Sequence, residues 1–137
     1  MSKKSKIINV STTIDFGILQ GTCMISFGFS YQELKKQLKD EKCNEWISAA
    51  KKADDLFKNA KYFACRTVHK GVDYYFLIFK EPFDFTDKHY TILAHEALHI
   101  TQFLCRQFHI DQEDEFQAYL HSHIMEQCLD AIRGNKK

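Results

Sequence analysis

The run Tyr74-Tyr75-Phe76-Leu77-Ile78-Phe79 constrains this chain more than any other stretch. Successive strand residues point to opposite faces of a sheet, so a run that is apolar at every position has no face suited to water. It predicts a strand covered by other elements on both sides. Tyr62 to Val68 is a second aromatic and β-branched run, and Lys70-Gly71 between the two supplies turn chemistry, which makes the pair a hairpin ending near Lys80. Pro82, the only proline, stops the ladder because it has no N–H to donate.

Two further strands are predicted ahead of this hairpin. Ile8, Val10 and Ile14 alternate with polar positions between Lys6 and Ile14, and Cys23, Ile25 and Phe27 do so between Gly21 and Phe27. Turn residues in Asp15-Phe16-Gly17 and at Gly21 make them an antiparallel pair. Ser30-Tyr31-Gln32-Glu33 is a capping box that starts a helix running to about Asp40. From Asn44 to Ala60, Trp46, Ala49, Ala50, Ala53, Leu56, Phe57 and Ala60 form one apolar stripe opposite a solvated face of lysines and aspartates.

After the hairpin comes Thr91-Ile92-Leu93-Ala94-His95-Glu96-Ala97-Leu98-His99-Ile100. Thr86 or Asp87 can cap the helix that carries it, and Ile92, Leu93, Leu98, Ile100, Phe103 and Leu104 leave it almost no polar side, so it is expected to be buried in the middle of the fold. At about 3.6 residues per turn, His95 and His99 project from one face, where their ring nitrogens can meet on one metal ion. Glu96, rotated about 100° from His95, can reach water activated by that metal without coordinating it.

Two histidines make half a site, because a catalytic zinc takes three protein ligands and leaves the fourth position open. The final helix, predicted to begin after Asp111-Gln112-Glu113 and to run to about Arg133, supplies the best candidate in Glu115. Glu115 comes level with His99 if the motif helix ends near Leu104 or Cys105. A helix continuing to Phe108 and turning tightly would instead favour His121 or His123 as third ligand. Glu113 and Asp114 read as N-terminal helix charges. His69, His89 and His109 read as structural or solvent-facing.

Composition narrows the remaining possibilities. The chain has 137 residues, 45% of them hydrophobic, with twelve Phe and six Tyr, enough to fill the core of one domain over residues 1–137. A formal charge of +1 argues against nucleic acid as a partner, and Lys3-Lys4-Ser5-Lys6 and Lys136-Lys137 read as solvated tails. Five scattered cysteines, Cys23, Cys43, Cys65, Cys105 and Cys128, with no C-x-x-C pair, read as reduced thiols of a cytoplasmic protein. No apolar run is long enough for a membrane span or a classical signal peptide.

His95-Glu96-Ala97-Leu98-His99 followed by Glu115-Phe116-Gln117-Ala118-Tyr119 resembles the gluzincin metallopeptidases, in which a second helix supplies a glutamate ligand. The small size and N-terminal strands make the chain most similar to the minimal zincin-like peptidases of phage and prophage. The resemblance implies that His95, His99 and Glu115 are zinc ligands and that Glu96 is the general base of a peptide-bond hydrolase acting on a peptide or protein. Tyr119, His121 or His123 would then help to stabilise the oxyanion. The alternative is a non-catalytic zincin-like binding or phage accessory module. Gln20-Gly21-Thr22-Cys23 carries a weaker, deformylase-like reading in which Cys23 is a ligand. The expected architecture is α+β, a small, mostly antiparallel sheet packed on the motif helix, which the final helix and the two earlier ones flank.

Overall fold

The strand Val72–Phe79 becomes the centre of the molecule for the reason its sequence gives: every residue from Tyr74 to Phe79 is buried. The computed structural model describes residues 7–17, 19–110 and 114–134. The basic tails at Lys3 to Lys6 and Lys136-Lys137, and Asp111-Gln112-Glu113, lie outside the described residues. The elements are β1 (Val10–Asp15), β2 (Thr22–Phe27), α1 (Tyr31–Asp40), α2 (Asn44–Leu56), β3 (Tyr62–His69), β4 (Val72–Phe79), α3 (Asp87–Gln107) and α4 (Asp114–Arg133).

The four strands form one sheet in the order β1-β2-β4-β3. β1 with β2 and β3 with β4 are antiparallel, as expected, while β2 and β4 run parallel, with Cys23 beside Tyr75 and Phe27 beside Phe79. The result is an α+β fold with a mixed sheet. Lys70 (φ 53°) and Gly71 (φ 78°) both adopt left-handed conformations, as the two-residue turn of a twisted hairpin requires. Ile8 lies outside β1 and makes a single bridge to Phe83, each backbone N–H donating to the other residue's carbonyl.

Each face of the sheet has its own core. On one face Leu34, Leu38, Ala49, Ala50 and Ala53 of α1 and α2 pack on Met24, Phe63, Cys65, Phe76 and Ile78. On the other, Leu93, Ala97, Ile100 and Leu104 of α3 and Leu120, Ile124, Cys128 and Ile132 of α4 pack on Ile25, Tyr75, Leu77 and Phe79. This corrects the expectation that the motif helix is central and flanked by the two earlier helices. The strand apolar on both sides takes the centre, which leaves α3 in an outer layer with one side open to solvent. α1 and α2 lie across the sheet from it.

Local signals set the helix ends. Ser30 Oγ accepts from the Glu33 N–H and the Glu33 side chain accepts from the Ser30 N–H, completing the capping box. α2 stops at Leu56, short of Ala60, as Phe57 leaves the helix and stacks on Phe63 at 4.7 Å. Thr86 caps α3 by accepting from the His89 N–H. All five cysteines are free thiols, and Cys23, Cys65, Cys105 and Cys128 are buried. No helix among the described residues is long and apolar enough to cross a membrane.

Two stability changes follow. Leu77→Ala, at a fully buried position, should lower the unfolding free energy by about 2–5 kcal/mol, and Ser30→Ala by about 1 kcal/mol through loss of its cap. Urea denaturation followed by far-UV circular dichroism checks both.

Candidate metal centre

The sheet contacts of α3 decide where its polar residues point. Leu93, Ala97, Ile100 and Leu104 face the core, and about 100° per residue then turns His95 to the open side, where it is exposed, and leaves His99 half-buried. Glu96 lies between these faces and is only 8% exposed. Burial pushes its carboxyl above the usual carboxylate range, and the neighbouring His95 and His99 pull it partly back.

The Nε2 atoms of His95 and His99 are 3.1 Å apart, with the two rings nearly perpendicular. Two nitrogens each about 2.0–2.1 Å from a tetrahedral zinc stand about 3.3 Å apart, so this donor pair fits a shared metal ion. Phe103, one turn beyond His99, lies almost parallel to its ring at 6.3 Å, and the Arg106 guanidinium sits 5.3 Å from the Phe103 ring centre. Phe103 was missed as a support for the site. Its i, i+4 spacing from His99 was the available signal.

The third ligand is where the expectation and the structure separate. Helix α3 does not end near Leu104 or Cys105; it continues to Gln107, because Leu104 and Cys105 are still needed in the core. The described part of α4 starts at Asp114. His121 Nε2 donates to the Ala94 carbonyl at 3.1 Å and thereby fixes how α4 lies beside α3. Counting six residues back from His121 at about 1.5 Å each brings Glu115 level with Ile100, so its height is suitable. Rotation is not. Around α3, His95 and His99 stand about 100° and 140° away from Ala94.

Glu115 is exposed at the first turn of α4. Among the described residues, no third His, Cys, Asp or Glu gathers with His95 and His99 in a group able to hold a metal. His121 is engaged with Ala94, and His123 lies 2.7 Å from the Gln127 amide and 3.8 Å from Asp15. Tyr119 is 65% exposed and lines an open groove along α4 with His121, Met125 and Leu129, to which neither motif histidine contributes. Cys23 is fully buried in the core with its thiol pushed well up by burial, which removes the basis for a deformylase-like ligand.

His89, read from sequence as structural or solvent-facing, is structural and anchors the start of α3. Its ring is enclosed by Tyr62, Phe79 and Phe83. Nε2 donates to Glu81 at 3.0 Å, while Nδ1 faces Asp84, 3.1 Å from the backbone N–H and 2.9 Å from Oδ1. The Tyr62 hydroxyl also donates to Glu81. Hydrogen bonds from Tyr62 and His89 hold Glu81 below the usual carboxylate range, and those from Thr86 do the same for Asp84.

No protein-family model, curated protein or solved structure matches the chain.

Carboxylates whose pKa is lowered on folding add stability above their unfolded values and lose it as the pH falls through the folded ones. The urea midpoint should therefore fall as the pH drops through about 4 and below, and Glu81→Gln, which cannot titrate, should fall less over that interval. Equal slopes for the two proteins would remove Glu81 from this account.

Proposed function

We propose that this chain is a small zinc-dependent peptide-bond hydrolase of the zincin-like kind. The observation that carries this is the convergence of His95 and His99, 3.1 Å apart on the open side of α3, with the buried Glu96 next to them. Two neutral imidazole lone pairs at that separation repel unless a proton or a cation lies between them. A zinc ion held there would supply a Lewis acid, lowering the pKa of water toward about 7 and polarising a scissile carbonyl.

His95 and His99 would hold the metal through Nε2, and Glu115 is the proposed third ligand. Engaging it requires the first turn of α4 to move around the flank of α3. Glu96 is the base. Its carboxylate accepts the proton of the attacking water and delivers it to the leaving amine, and burial fits it for the task by raising its affinity for that proton. Tyr119 would have to approach the pair to assist the oxyanion, and it serves this role only if α4 shifts with Glu115.

One observation favours a second reading, a non-catalytic zincin-like binding or phage accessory module: the histidine pair stands without a third ligand among the described residues. The two readings predict different behaviour. For the hydrolase, protein purified without chelators should carry one zinc per chain by elemental analysis. His95→Ala and His99→Ala should lose it, and Glu115→Ala should bind it more weakly. Glu96→Gln should keep the metal and lose cleavage of a peptide library by about 10²–10⁴-fold. Zinc binding without any cleavage that Glu96→Gln abolishes would establish the binding module instead, and absence of zinc would sink the metal site altogether.

A further inference from the structure

The outer edge of β1 lies across the sheet from the half that α3 covers, since α3 packs over β3 and β4 while α4 packs against β1. Among the described residues β1 pairs with β2 alone, and no other strand lies along its second edge. The direction of its backbone groups can be fixed residue by residue. Ile8 uses its N–H and C=O on Phe83, on the inner side. Asp15 uses both on the side-chain amide of Gln127, on the outer side: its N–H donates to Oε1 at 3.0 Å and its C=O accepts from Nε2. Alternation in an antiparallel ladder then turns Ser11 and Thr13 outward, where no strand among the described residues receives their N–H and C=O groups.

Gln127 thus occupies one rung of the missing ladder, an amide donating to and accepting from the edge as a peptide unit would. Exposed edges are commonly protected by lysine, proline or a bulge, and Val-Ser-Thr-Thr-Ile-Asp contains neither lysine nor proline and pairs in unbroken register with β2. Beside the edge runs an open groove of about 780 Å³ between β1 and α4. Among the described residues that line it, Asp15 and Glu126 bring carboxylates, with His123 beside them, and none is lysine or arginine.

We infer that this edge docks an extended polypeptide segment by strand addition, and that the segment carries lysine or arginine at alternate positions. Backbone hydrogen bonds to Ser11 and Thr13 supply sequence-independent affinity, and every second side chain of the added strand faces the carboxylates of the groove. The same charges disfavour a second copy of this chain as occupant, because its β1 would bring Asp15 and an identical acidic groove against them. Docking here is separate from the histidine pair.

The test uses two fluorescein-labelled peptides, one alternating valine with lysine and one alternating valine with glutamate, titrated against the full chain by fluorescence anisotropy. Parallel titrations of Glu96→Gln prevent cleavage from mimicking dissociation. The lysine peptide should bind saturably, more weakly at high salt, and should slow amide hydrogen exchange at Ser11 and Thr13. Glu126→Lys, a change at an exposed position, should weaken it about tenfold and improve the glutamate peptide. Thr13→Pro, which removes an outward N–H, should abolish binding of the lysine peptide. Equal affinity for the two peptides, binding that leaves exchange at Ser11 and Thr13 unchanged, or a dimer forming through this edge without peptide would each overturn the inference.

Discussion

Burial of β4 on both faces is the constraint on which the rest of the structure depends. A strand that offers water no face must have a layer on each side, and this chain supplies one from the helices before β3 and one from those after β4. Strands β2 and β3 enclose its two edges, which satisfies its backbone groups as well as its side chains. The helices are then fixed by what the two faces of the sheet will accept.

For α3 this settles the candidate metal centre. Once Leu93, Ala97, Ile100 and Leu104 are in the core, helical geometry leaves no freedom over the direction of His95, Glu96 and His99. The histidines turn toward the open side, and the glutamate is buried between the open and packed faces. At its start the helix is held by the Thr86 cap and by His89 among aromatic rings and carboxylates, so the motif is built on a rigid rather than a yielding element. Among the described residues the hydrogen bond that joins α4 to α3 lies six residues beyond Glu115, at His121.

Much of this was legible in the sequence because it depends on local period and capping. The hairpin around Lys70-Gly71, the Ser30 capping box, the Thr86 cap and the pairing of His95 with His99 each need only a few neighbouring residues to specify them. What was not legible depends on contacts between distant segments. The strand order that makes β2 and β4 parallel, the placing of α1 and α2 across the sheet from α3, and the Gln127 amide on Asp15 leave no periodic trace. The third ligand fell between these cases. The height of Glu115 along α3 could be estimated from rise per residue, but the flank on which α4 lies is set by packing, and among the described residues Glu115 joins no metal-holding group with the histidines.

The parallel pairing of β2 with β4 has a consequence for how the chain is made. β2 is synthesised early and β4 only after α1, α2 and β3, so during translation β2 has β1 on one side and an open edge on the other. Its buried residues Cys23, Met24, Ile25 and Phe27 belong to cores on both faces that do not yet exist. Closing the sheet therefore waits on a contact between distant parts of the chain, the kind that folds slowly and leaves sticky surface exposed in the interval. The newly made N-terminal half is the stage at which this protein most needs protection from aggregation, and a chain cut short before Phe79 never leaves it.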